Sequence, residues 1–175
     1  MSNGITSLLA GAALLALVSG PTRAADDAHN TVAFVPQIVG IPYFNAMQQG
    51  GEKAAAALGV KFIYSGPTDT NPVDQLQIVQ NLINQGVGAV SVSVLDASSI
   101  APVVEAARAK GVKLFTSDSD APKSGRAVYV AQATDEGLGF AIIDELVQRV
   151  GADAKVGIVS GEATASNLNA WIGFM

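Results

Sequence analysis

Two carboxylates one residue apart, Asp118 and Asp120, stand in the stretch LFTSDSDAP at the end of an apolar run. Carboxylates so spaced can ligate a divalent cation, act as nucleophile and acid/base in phosphoryl transfer, or accept hydrogen bonds from a polyhydroxylated ligand. One class of magnesium phosphohydrolases does use Asp-x-Asp at a strand end, but after the first strand and continuing into Thr or Val. In this chain the pair follows the fourth predicted strand and runs into Ala121-Pro122, so a short motif is out of its context. A plainer expectation is that Asp118 and Asp120 cap a loop and start a turn ahead of Pro122, a place Asp often takes. The loop PQIVGIPYFN adds Gln37 and the aromatic pair Tyr43-Phe44. A carboxylate, an amide and two rings around one crevice suit a sugar, whose hydroxyls donate to Asp118 in charge-assisted bonds of about 1.5–3 kcal/mol each. Its C–H faces would pack on the rings. Phe44, and to a lesser degree Tyr43, have an alternative role as helix-entry residues packed into the core.

Composition narrows the choices. The 175 residues are 49% hydrophobic and 14% charged, a globular balance. Formal net charge is −5, and no basic cluster is present to neutralise phosphates, so a nucleic-acid partner is not expected. The absence of Cys removes a disulfide framework, a thiolate metal site and an acylated lipoprotein anchor. His29, the one histidine, falls in a polar stretch before the first strand and is expected to be solvated, which leaves no histidine-based catalysis. The phosphate-binding Gly-rich turn, the P-loop and the Gly-x-Ser-x-Gly elbow are all missing. No cofactor and no metal are expected.

Residues 1–24 read as an export signal: ITSLLAGAALLALVSG is apolar and uncharged, and Thr22 and Ala24 have the spacing of a signal-peptidase site. A membrane anchor fits less well, because the run is short for a bilayer core and rich in Gly and Ala. Removing Arg23 with the signal takes the net charge to −6, and residues 25–30 would form a polar tail. From there, short β-branched runs at 31–36, 60–65, 88–94, 112–117, 127–132 and 155–160 alternate with stretches of helical spacing. Asn71-Pro72 is a helix start, and Gly59, Gly86, Gly111 and Gly151 follow helix ends. The alternation predicts an α/β fold: an open, mostly parallel sheet with helices on both faces. Its ligand edge lies beyond the carboxyl ends of the strands. The link DSDAPKSGR between the fourth and fifth strands is too short for a crossover helix. The fifth strand is therefore expected to pair antiparallel or to leave the layer. The final stretch ASNLNAWIGFM looks like the opening of a helix.

FVPQIVGIPYFNAMQQGGEKAAAALGV, YSGPTDTNPVDQLQIVQNLINQGVGAVSVSV and GVKLFTSDSDAP resemble the ribose-binding type of periplasmic sugar-binding proteins, within it the branch of rhamnose-binding proteins and the autoinducer-2 receptor. The GPT after the second strand and the DSD after the fourth are the more telling pieces, and the similarity runs from about Thr31 to Met175. The resemblance implies the periplasmic-binding-protein type I fold, two α/β lobes around a cleft. Residues 31–133 would form the first lobe and 134–175 the start of a second, an incomplete receptor expected to bind sugar weakly or not at all. It implies a non-enzymatic, periplasmic receptor that hands a monosaccharide to the membrane permease of an ABC transporter and is a monomer when full length. By the same resemblance Asp118 matches the ligand-binding aspartate, Tyr43 and Phe44 the aromatic pair, and Asn167 and Asn169 a ligand loop of the second lobe. Asp120 and Leu168 are further candidates. Gln37 stands where the autoinducer-2 receptor has a lysine, and Asn167-Leu168-Asn169 replaces Asp-Gln-Asn. Losing a cation and an acid favours a neutral sugar, such as a deoxyhexose whose methyl meets Leu168. Two rivals of other classes are the effector domain of a transcription repressor with this fold and the phosphohydrolase.

Overall fold

The computed structural model describes residues 28–175; the expected signal at 1–24 lies outside them, as does the first half of the expected tail. Five strands, β1 (Thr31–Val35), β2 (Lys61–Tyr64), β3 (Ala89–Val92), β4 (Lys113–Ser117) and β5 (Tyr129–Val130), form one sheet in the order β2-β1-β3-β4-β5. All neighbours pair parallel, with Val32 opposite Ala89, Ala89 opposite Lys113 and Thr116 opposite Tyr129. The helices are α1 (Pro42–Leu58), α2 (Pro72–Asn84), α3 (Ala101–Ala109), α4 (Asp135–Val150) and α5 (Ser166–Phe174).

Local chemistry explains their limits. Pro42, Pro72 and Pro102 sit at the starts of α1, α2 and α3, where a missing N–H costs no helical bond. Asn71 Oδ1 accepts from Val73 N at 2.9 Å, and Thr134 Oγ1 accepts from Gly137 N at 3.1 Å, side-chain caps for α2 and α4. Gly59 ends α1 in the left-handed region, φ 68°, and its N–H donates to Ala55 O.

Strand alternation divides the sheet into two faces. Ala33, Val35, Val90, Val92 and Leu114 face Val79, Leu82 and Ile83 of α2 and Val104 and Ala107 of α3, giving one continuous buried core. On the other face α1 lies against β1 and β2, so closely that a Cβ at Gly51 would stand 2.4 Å from the Phe62 ring. Gly88, just before β3, is tighter still: a Cβ there would lie 2.1 Å from the carbonyl oxygen of His29. The atoms that meet it, in His29 and Thr31, are backbone and cannot yield by a rotamer change, whereas at Gly51 the neighbour is a side-chain ring. Gly88→Ala is expected to cost about 2 kcal/mol or more, read as a lower urea midpoint at unchanged slope. His29 itself is exposed, as expected of a solvated residue.

Two expectations fail. β5 neither turns antiparallel nor leaves the layer. Ala127 N donates to Leu114 O, Thr116 N to Val128 O and Asp118 N to Val130 O, the evenly slanted ladder of a parallel pair. A 3-10 turn at Pro122–Ser124 and Gly125 at φ 79° reverse the chain compactly, and Arg108 of α3 donates to Gly125 O at 2.7 Å. A strand of two residues needs only this short return, which takes the place of a helix. Residues 155–160, the expected sixth strand, form no strand. Val159 is 99% exposed, and among the described residues no strand lies beside the segment, so β propensity has no ladder to join. α4 and α5 pack chiefly on one another, through the Phe140–Phe174 ring contact and a close approach at Gly139.

Candidate functional site

In this strand order the crevice opens between the carboxyl ends of β1 and β3, where the order reverses. Two glutamines tie that point together. Gln75 of α2, 1% exposed, donates from Nε2 to Pro36 O (3.0 Å) and Ser93 O (2.7 Å), and its Oε1 accepts from Leu95 N (3.0 Å). Gln37 donates from Nε2 to Val94 O at 3.0 Å, so its amide nitrogen is used within the fold.

Asp118 follows β4 on the same edge. It is the one non-glycine residue at positive φ among the described residues, φ 66°, a conformation Asp tolerates better than most. The turn points its carboxylate back toward β3 and α1. Tyr43 Oη donates to Oδ1 at 2.7 Å, Ser93 Oγ to Oδ2 at 2.6 Å, and Gln132 Nε2 to Oδ1 at 3.3 Å. The Tyr129 hydroxyl donates to the Asp118 carbonyl at 2.8 Å. Asp118 is buried, yet with Tyr43, Ala46, Met47, Ala131 and Gln132 it lines an open cleft of about 390 Å³. Burial, the hydrogen bond to Asp118 and the Asp118 charge all raise the Tyr43 phenol well above its ordinary value. Burial, then the charges of Asp135, Asp120 and Asp118, push Tyr129 up to about 12. Both phenols therefore remain protonated donors at neutral pH.

The expected site residues divide. Tyr43 and Asp118 meet directly, although Tyr43 reaches the carboxylate through its hydroxyl as well as presenting a ring. Phe44 turns away: it is 3% exposed and packs 6.3 Å from Phe34, which makes it the helix-entry core residue. Asp120 is a structural staple. Arg126 donates to both its oxygens, Nε to Oδ1 at 2.7 Å and Nη2 to Oδ2 at 2.6 Å, and Thr116 Oγ1 donates at 2.5 Å. That bidentate pair pins the turn before β5 and covers the carboxylate that magnesium chemistry would need. Asn167 and Asn169 lie in α5 rather than in a loop. Asn169 is exposed and donates to Ala163 O at 2.9 Å. Leu168 lines a separate apolar cavity of about 360 Å³ with Ile143, Leu146 and Trp171, so it does not meet the Asp118 cleft. Asn167 is buried and its Oδ1 has no partner; it lines a cavity of about 240 Å³ with Asp120, Tyr129, Asp135 and Ser166.

Asp120 supplies a pH test. Burial pushes its carboxyl up, but hydrogen bonds from Arg126 and Thr116 and the Arg126 charge outweigh that and hold it below the ordinary carboxylate range. A lowered folded value stabilises the fold above the ordinary value of about 4, and that contribution is lost as pH falls through the lower folded value. In an acid titration followed by circular dichroism, the wild type should lose more stability over that window than Asp120→Asn. Parallel curves would remove the staple from the account.

Ser93, Gln75, Tyr129 and Gln132 were not foreseen. Gln75 had a signal, since it occupies the apolar stripe that continues through Val79, Leu82 and Ile83. Ser93 had a weaker one, as a polar residue in the buried run AVSVSV.

The pattern of the family described as periplasmic binding protein domain matches residues 32–175. The chain belongs to that family. Its relatives include the ribose import binding protein RbsB of Escherichia coli K12, 28% identical over 163 residues, 93% of this chain and 53% of the relative. The chain thus spans about half the length of the curated relatives it matches. Among solved structures, an ABC transporter solute binding protein from Clostridium phytofermentans with bound L-rhamnose superposes with a TM-score of 0.79 at 28% identity, over 83% of this chain and 45% of that one. LsrB from Clostridium saccharobutylicum in complex with AI-2 gives a TM-score of 0.73 at 28% identity, over 82% and 47%. The α/β fold and the family resemblance read from the sequence are confirmed. No helix among the described residues is long and apolar enough to cross a membrane.

Proposed function

We propose that the chain is the first lobe and the opening of the second lobe of a periplasmic, non-enzymatic receptor for a neutral monosaccharide. It would present that sugar to the permease of an ABC transporter. The observation that carries the reading is the Asp118 carboxylate, held at the end of β4 by Tyr43 and Ser93 and facing the 390 Å³ cleft. A carboxylate has about four acceptor positions, so the two short protein bonds leave room for ligand hydroxyls, while Met47 and Ala46 offer an apolar wall to its C–H groups. The binding of L-rhamnose by a structural neighbour and of ribose by RbsB relatives supports the ligand class. On this reading the lobe boundary falls between Ala133 and Thr134, where Thr134 caps α4.

The decisive experiment is a sugar titration into isotope-labelled protein followed by amide resonances, which detects millimolar binding. L-Rhamnose, D-ribose and D-arabinose are the probes. On this reading the chain binds weakly rather than not at all, so saturable millimolar shifts at Tyr43, Asp118 and Gln132 with one of them are expected; no shift at these residues with any of the three would overturn the reading.

A further inference from the structure

The residue that faces the cleft also holds the segment leading to α4. Asp118 makes three bonds to it: its N–H donates to Val130 O at 3.1 Å, its carbonyl accepts from Tyr129 Oη at 2.8 Å, and its Oδ1 accepts from Gln132 Nε2 at 3.3 Å. The first two accompany the β4–β5 pairing and fix β5 to the sheet. The third differs from them in three respects. It is the longest bond to the carboxylate, against 2.7 Å from Tyr43 and 2.6 Å from Ser93. It comes from an exposed residue on a flexible side chain. It also stands beyond the end of β5, two residues before Thr134, whose side chain caps α4.

The first two respects make this bond the easiest of the carboxylate's bonds to exchange. A net hydrogen bond is worth little where water or another donor can replace it, whereas Tyr43 and Ser93 are held at close range by their own elements. A ligand donor entering the cleft at Oδ1 finds both Tyr43 and Gln132 at the opening, and of the two Gln132 makes the longer bond.

We propose that Gln132 is a positioning residue that couples occupancy of Asp118 to the segment 131–134: its amide keeps a place at Oδ1 that a ligand hydroxyl takes, and its release loosens the entry to α4. The link between Gln132 and the segment stands without any ligand; only the displacement step rests on the sugar reading above.

The test is hydrogen exchange on the 175-residue chain, read at the amides of Gly137 and Leu138, which bond to Thr134. Without sugar, Gln132→Ala should speed their exchange by about threefold to tenfold and leave the core amides of Val90 and Val92 unchanged. Gln132→Glu, which sets a second carboxylate against Asp118, should speed it further. In an Asp118→Gly background, which removes the acceptor but accepts the backbone angle, the effect of Gln132→Ala should shrink by more than half, the non-additivity expected if Gln132 acts through the Asp118 side chain. Unchanged exchange in both Gln132 variants, or full additivity with Asp118→Gly, overturns the coupling. Adding L-rhamnose to the wild type should reproduce the Gln132→Ala pattern. Sugar-dependent shifts at Asp118 without faster exchange at Gly137 overturn the displacement step, while absence of any sugar effect overturns the sugar reading and leaves the ligand-free link supported.

Discussion

Gln75→Leu is expected to lower the stability of this chain by about 3 kcal/mol or more, the largest single loss foreseen for a substitution in the fold. Leucine suits the apolar stripe of α2 in shape, so a view based on hydrophobicity alone predicts a gain. The structure predicts the opposite. Gln75 serves the carbonyls of Pro36 and Ser93 and the N–H of Leu95, three backbone groups where the chain leaves β1 and β3. All three lie at a buried point, and each polar group left without a partner costs about 1–3 kcal/mol. Burial of the leucine side chain offsets part of that. Urea unfolding should show the drop as a lower midpoint. Because Ser93 also donates to Asp118, the variant should disturb the Asp118 resonances as well. A variant within about 1 kcal/mol of wild type would mean that water satisfies these groups and that the glutamine is not their keystone.

Asp118→Asn should have the largest effect on ligand binding and a small one on stability. Asn keeps the tolerance for positive φ that residue 118 needs and can still accept from Tyr43. It loses the charge and turns one acceptor oxygen into a donor, so ligand hydroxyls lose charge-assisted bonds worth about 1.5–3 kcal/mol each. Affinity for the best of the three sugars should fall by about tenfold to a hundredfold, measured by the same resonance titration, with stability within about 1 kcal/mol of wild type. Equal affinity in the two proteins would take Asp118 out of the binding site. Asp118→Gly, which removes the side chain but accepts the backbone angle, separates the carboxylate from the turn: it should bind no better than the Asn variant.

Much of the α/β alternation was legible because its causes are local. Helix α2 follows from Asn71, Pro72 and an apolar stripe, all within a few residues of one another, and α4 stops at Val150, just ahead of Gly151, one of the glycines expected to follow a helix end. Asp118 could be picked out because a charge at the end of an apolar strand is conspicuous in one dimension. Asp120 could not be told from it by type, since the distinction rests on Arg126, which loops round to grip both its oxygens. Phe44 and Tyr43 are neighbours in sequence with similar rings, yet one is buried against Phe34 and the other opens on the cleft. That difference depends on the angle at which α1 meets the sheet. Gln132 carried no signal, because its partner lies across the β4–β5 pairing, which was expected to run antiparallel or to leave the layer and runs parallel instead.

By itself the sequence determined the repeating strand–helix order, the helix caps, the family and the presence of an acceptor at the sheet's ligand edge, since these depend on side-chain type and on spacing of a few residues. Only the tertiary structure decided the parallel placement of β5, the absence of a strand at 155–160, the division of labour between Asp118 and Asp120, and the donors gathered on Asp118. Each of these depends on which groups come together through space, and a hydrogen bond between residues 75 positions apart, as from Tyr43 to Asp118, has no counterpart in any local pattern.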